Sequence, residues 1–114
     1  MDFKIARKNM VENQIRANKV TSLNVINAFL DVPREKFVPD ALQEISYVDE
    51  DIQLSRNRFM MKPMILARLF QSLNLQGNEN ILHVGSNTGY GSAILSRMCS
   101  SVISLESDKK LFEK

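Results

Sequence analysis

The chain has 114 residues, 44% hydrophobic and 25% charged, and carries one cysteine and a formal net charge of +2. That is the composition of one soluble globular domain, and its interspersed bases and acids exclude the basic footprint of a nucleic-acid binder. No apolar run approaches the roughly 20 residues of a membrane span, residues 1–9 lack the apolar segment of a secretory signal, and Cys99 has no partner for a disulfide or a cysteine zinc cluster, so the expected compartment is the cytoplasm.

In chain order, residues 3–19 place Phe3, Ile5, Met10, Val11 and Ile15 among many charges, the pattern of a moderately amphipathic helix. Thr21 or Ser22 is a candidate N-cap for a second helix carrying Val25, Ile26, Phe29 and Leu30, which Pro33 ends. Residues 31–40, D-V-P-R-E-K-F-V-P-D, form a Pro-punctuated connector anchored by Phe37 and Val38. Residues 43–54 support only a short strand or irregular structure. Pro63 suits the first position of a third helix, along which Ile65, Leu66, Leu69, Phe70 and Leu73 trace a 3.6-residue stripe. A turn around Gly77 follows, and then residues 81–84 as a short, buried apolar strand. A helix from Gly89 to about Met98 comes next, with Ala93, Ile94 and Met98 towards a sheet, and residues 102–105 make a second strand. Cys99 is expected as a buried structural thiol at that helix end, and Ser107 as the cap of a further helix.

Residues 81–95, I-L-H-V-G-S-N-T-G-Y-G-S-A-I-L, are the most informative stretch. Gly85 and Gly89 bracket Ser86, Asn87 and Thr88, so the backbone can turn sharply and approach a ligand where a Cβ would collide. Asn87 tolerates the left-handed region, which spares a third glycine. Glu106 stands 21 residues beyond Gly85, at the end of the second strand, placed to accept hydrogen bonds from both hydroxyls of a ribose. Strand, glycine turn, helix, strand and acid at this spacing form the first unit of a Rossmann-like α/β fold for an adenosine-containing cofactor. Parallel strands are normally covered on both faces and gathered in larger sheets. Two strands and one helix therefore read as the front part of a larger, truncated domain, with one face of the pair and a sheet edge at residues 102–105 left without partners.

Several segments together resemble the protein-L-isoaspartate (D-aspartate) O-methyltransferase family. M-V-E-N-Q-I-R-A-N-K-V at residues 10–20 is similar to its M-V-x-x-Q-I/L-x-x-x-x-I opening, and V-P-R-E-K-F-V-P at 32–39 to its V-P-R-E-x-F-V-P signature. Tyr47 with Asp49 resembles A-Y-x-D, Pro63 with Ala67 resembles P-x-x-x-A, and G-x-x-x-G-Y with Ala93 and Leu95 resembles the cofactor loop. The resemblance implies S-adenosylmethionine as cofactor, held by Gly85, Ser86, Asn87, Gly89, Tyr90 and Glu106. It implies methyl transfer to the carboxylate of isoaspartyl residues in damaged proteins, with no metal. Residues 1–75 then form an N-terminal helical, substrate-side region, and residues 76–114 the start of the cofactor-binding domain.

The family's T-I-S-x-P is F-M-M-K-P here: Phe59 and Met61 stand at two hydroxyl positions of the substrate side, and Met60 and Met61 are expected as core filler. His83 replaces the acid of L-E-I-G and is expected as a hydrogen-bonded histidine beside the loop. The expected function is a protein carboxyl methyltransferase of which this chain is a fragment or degenerate homologue, inactive by itself. The alternative is a non-catalytic remnant acting by self-association through the uncovered edge or by binding a protein partner. A dinucleotide-dependent oxidoreductase would share the loop and the acid, but V-P-R-E-K-F-V-P has no place in it.

Overall fold

A computed structural model describes residues 2–108 of the chain. The first helix, α1 (Phe3–Met10), starts at Asp2, whose carboxylate accepts the backbone N–H groups of Lys4 and Ile5 at 3.0 and 3.2 Å. It does not run on as regular α-helix through residue 19. A π-helical segment, Val11–Ile15, and a 3-10 turn, Arg16–Asn18, lead to Lys19 at φ 71°. The wider π turn is why Met10, Val11 and Ile15, five residues apart end to end, all reach one buried face.

Ser22 caps α2 (Leu23–Asp31), whose Val25, Ile26, Ala28 and Phe29 are buried. Gln71 clamps the turn before it, accepting the N–H groups of Thr21 and Ser22 through Oε1 and donating from Nε2 to the Lys19 carbonyl. Residues 34–37 and 40–45 are 3-10 turns. A hairpin then forms from β1 (Ile52–Ser55) and β2 (Arg58–Met60), with Ile52 opposite Met60 and an irregular register between Gln53 and Ser55. Residues 43–54 were expected as a short strand or irregular structure, and β2 was not expected.

In α3 (Pro63–Ser72), Pro63 takes the first turn as expected, but the buried face differs from the stripe. Pro63, Ala67 and Phe70 face inward, while Leu69 and Leu73 are about half exposed. The period is helical; the Val11–Ile15 segment and α2, with the Phe29 and Phe70 rings 6.5 Å apart, pack against α3, and Leu69 and Leu73 stay partly in solvent.

The parallel pair β3 (Asn80–Val84) and β4 (Ser101–Leu105) brackets α4 (Tyr90–Ser96). The helix covers one face, where Ile81, His83, Val102 and Ser104 are half-buried. β3 is therefore not the fully buried strand expected: Leu82, Val84, Ile103 and Leu105 point to the opposite face and are 50–70% exposed. Cys99 is half-buried, its thiol donating to the Leu95 carbonyl at 3.1 Å, and burial pushes its pKa up. The helix expected after Ser107 lies outside the described residues. No helix among the described residues is long and apolar enough to cross a membrane.

Candidate functional site

β3 delivers the chain into a turn with three left-handed residues, Gly85 (φ 69°), Asn87 (φ 56°) and Gly89 (φ 95°). Asn87 takes the left-handed conformation expected of it, a region that asparagine tolerates better than most residues. The turn is tied to the end of β4: the N–H groups of Gly85 and Ser86 both donate to the Leu105 carbonyl, at 2.8 and 3.2 Å, and Gly89 N–H donates to the Ser86 carbonyl. Gly91, one turn on, allows α4 to lie directly on the strand, since a Cβ there would sit 2.9 Å from His83 Cε1.

Glu106 comes to the same place from β4, and its side chain is only 1% exposed. Oε1 accepts the backbone N–H of Asn87 at 2.6 Å, and Oε2 that of Asp108 at 2.8 Å. Both oxygens also receive Arg58 from the hairpin, Nη1 to Oε2 at 2.7 Å and Nη2 to Oε1. The Arg58 hydrogen bonds, helped by the two backbone N–H groups, hold the Glu106 pKa down to about 2 against the opposing effect of burial. Arg58 Nε donates to Asn87 Oδ1 at 3.0 Å, and Asn87 Nδ2 donates to the Phe59 carbonyl at 3.0 Å. Hairpin, glycine turn and strand end thus meet at one carboxylate.

The V-P-R-E-K-F-V-P segment supports the turn from below. Thr88 Oγ1 donates to the Phe37 carbonyl at 2.5 Å, and the Phe37 and Tyr90 rings meet at a tilt of 60° with their centres 5.7 Å apart. Tyr90 is turned into the core, where the Arg34 guanidinium lies 4.8 Å from its ring centre and burial raises its pKa. Arg34 is itself fully buried and donates to the carbonyls of Ser46 (Nε, 2.6 Å) and Met61 (Nη2, 3.2 Å). It therefore holds the exit of the hairpin against the floor of the turn.

Between the hairpin and the turn lies a cavity of about 260 Å³ bordered by Phe59, Met61, Leu66, His83, Ser86 and Tyr90. Met60 is buried as core filler, as expected; Met61 is not, standing 37% exposed at the mouth beside a half-exposed Phe59. His83 is the hydrogen-bonded histidine expected, its Nδ1 2.6 Å from Ser92 Oγ, which in turn accepts Ser104 Oγ at 2.5 Å. Burial lowers the His83 pKa, which keeps the ring neutral at neutral pH. A second recess, beside Val84, Gly85, Leu105, Glu106 and Ser107, opens at the carboxyl ends of the strands, the usual ligand position in open α/β sheets. Among the described residues, no three His, Cys, Asp or Glu side chains converge as metal ligands.

Of the residues read from sequence, Gly85, Ser86, Asn87, Gly89 and Glu106 are brought together, and Tyr90 sits beneath them. Arg58 was not anticipated: a basic residue in S-R-N-R looks like a solvated hairpin tip until the register of β2 is known. Thr88 and Arg34 were also missed, although Arg34 lies in the most distinctive segment of the sequence.

Comparison with known proteins accords with this architecture. The family model described as "Protein-L-isoaspartate(D-aspartate) O-methyltransferase (PCMT)" matches residues 5–114. The chain is 35% identical over 105 residues to protein-L-isoaspartate O-methyltransferase 2 of Anaeromyxobacter sp. (strain Fw109-5), covering 92% of this chain and 43% of that one. It is 33% identical over 113 residues to the Dictyoglomus thermophilum protein-L-isoaspartate O-methyltransferase, covering 99% and 51%. A crystal structure described as a protein-L-isoaspartate O-methyltransferase from Plasmodium falciparum, in complex with S-adenosyl-L-homocysteine, superposes with a TM-score of 0.77 at 26% identity, over 94% of this chain and 51% of that one. The chain thus spans about half the length of the relatives it matches.

Proposed function

The chain belongs to the protein-L-isoaspartate (D-aspartate) O-methyltransferase family, and from that premise we propose that it carries the loop half of an S-adenosylmethionine site serving methyl transfer to a protein carboxylate. The observation that carries this reading is the meeting of a left-handed Gly85–Asn87–Gly89 turn with the Glu106 carboxylate at the ends of two parallel strands. The fit is chemical as well as spatial. The turn brings bare backbone to the strand ends, and Glu106 offers two acceptor oxygens suited to the two hydroxyls of a ribose.

When bound, S-adenosylmethionine would supply an electrophilic methyl group on a sulfonium sulfur, with a neutral thioether as its leaving group. The chain needs no strong acid or base for this, since the acceptor is already ionised at neutral pH; its contribution is positioning and exclusion of water. In this reading Gly85, Ser86, Asn87 and Gly89 shape the loop, Tyr90 fixes it from below, and Glu106 orients the ribose. Residues 1–75 form the substrate side and residues 76–114 the cofactor side. Phe59 and Met61 give the substrate mouth an apolar rim with no hydroxyl donor from either, which disfavours an isoaspartyl group.

Loop and ribose contacts make up only part of a cofactor site, so the 114-residue chain binds weakly and does not turn over. Equilibrium dialysis with labelled S-adenosylhomocysteine at millimolar concentration tests this, with weak retention by the chain and loss of it in Glu106→Gln as the expected result. Equal retention by both proteins, or methylation of an isoaspartyl peptide by this chain, would contradict it.

One observation favours a second reading, a non-catalytic chain that pairs with its own copy. Among the described residues no third strand joins β3 and β4, and one face of that pair exposes four aliphatic side chains. A monomer by light scattering at high concentration would count against it.

A further inference from the structure

We propose that Arg58 is a latch on the Glu106 site, and that a ribose-containing ligand enters only by displacing it. The inference rests on the reading of Glu106 as a diol acceptor. A carboxylate has about four lone-pair positions for hydrogen bonds. In this chain four donors fill them: Arg58 Nη1, Arg58 Nη2, Asn87 N–H and Asp108 N–H. The two backbone donors belong to the turn and the strand end and stay in place. The two that come from the hairpin present a planar fork of N–H groups to the same pair of oxygens that a vicinal diol would engage with its two O–H groups. Guanidinium and ribose therefore compete for one acceptor pair.

Three features suit the pair to opening. Arg58 sits at the start of β2, next to the irregular register opposite Gln53 and Ser55, so the hairpin tip is not locked by a regular ladder. Its side chain is 27% exposed, which leaves the guanidinium a path to water. The same side chain also reaches Asn87 Oδ1 in the turn, and Asn87 Nδ2 returns to the Phe59 carbonyl of the hairpin. Release of Arg58 thus loosens the contact between hairpin and turn beside the Glu106 carboxylate. The ligand's apparent affinity is reduced by the fraction of molecules in which the latch is open.

Calorimetric titration separates the latch from the site. Arg58→Gln, which stays polar but is shorter and loses the charged fork, should bind S-adenosylhomocysteine about tenfold or more tighter than the native chain. Arg58→Lys, a point charge without the fork, should fall between them. The gain should vanish for 2′,3′-dideoxyadenosine, which has no diol to offer Glu106, while plain adenosine keeps it. Equal affinity of the native chain and Arg58→Gln, or an equal gain for the dideoxy ligand, would overturn the latch. If binding in those proteins is lost on Glu106→Gln, the reading of Glu106 still stands. Failure of every variant to bind, in chains shown to be folded by circular dichroism, would overturn that reading and the latch with it. Should Arg58→Gln fail to fold, the Arg58 Nε–H resonance of the native chain decides: displacement at saturating S-adenosylhomocysteine supports the latch, and an unmoved resonance sinks it.

Discussion

Arg34 is fully buried, and its guanidinium is met by carbonyl oxygens of Ser46 and Met61 and by the Tyr90 ring. Burial lowers its pKa, so the fold spends part of its stability on keeping this charge. Removing the side chain leaves the buried Ser46 carbonyl and the part-buried Met61 carbonyl without their donor, and a lysine cannot reach both. Arg34→Met and Arg34→Lys should each cost about 3 kcal/mol or more in urea unfolding; a cost near zero would mean the carbonyls find water. Glu106 makes a second prediction at this scale. Its pKa in the fold is depressed to about 2, so the stability it contributes is full above the ordinary carboxylate range and is lost as pH falls towards 2. The native melting temperature should therefore drop through that window more than that of Glu106→Gln, and parallel curves would contradict the ion pair. The conformations of Gly85, Asn87 and Gly89 were legible because few residue types tolerate left-handed backbone, so identity implies geometry. The partner of Glu106 was not legible, because nothing local to Arg58 ties it to a residue 48 positions away.

At the scale of elements, the segment V-P-R-E-K-F-V-P reads as a connector and works as a support: Phe37 and Arg34 hold Thr88, Tyr90 and Met61 from beneath. Its role escapes pattern reasoning because 3-10 turns have no hydrophobic period to detect. The α3 stripe shows the opposite case. Its period was legible, but which side of the helix is buried depends on what packs against it, and α2 contacts the Ala67–Phe70 side. The contact of α4 with β3 gives a direct test. Gly91→Ala would place a Cβ 2.9 Å from a ring held by Ser92, and overpacking of about 1–3 kcal/mol should exceed the roughly 1 kcal/mol that alanine returns in helix propensity. A variant more stable than the native chain in thermal unfolding would show that His83 can move aside.

Over the whole molecule, one core runs from α1 to α4, with Phe29 in contact with both Phe70 and Tyr90. The α/β class was legible from the strand–turn–helix–strand order, as was the parallel pairing of its two strands. An uncovered face was legible too, since two strands and one helix cannot cover both sides of a parallel pair, and Leu82, Val84, Ile103 and Leu105 occupy it. An apolar row of this kind should drive association. Val84→Lys with Ile103→Lys should shift the chain towards monomer in sedimentation velocity, and an unchanged distribution would place any association elsewhere. The central claim is that the glycine turn and Glu106 form one half-site for an adenosine-containing cofactor. Amide NMR during titration with S-adenosylhomocysteine tests it most directly. The account predicts that Gly85, Asn87, Gly89 and Glu106 shift together and that these shifts disappear in Glu106→Gln; a folded chain whose turn amides stay fixed at millimolar ligand would contradict it.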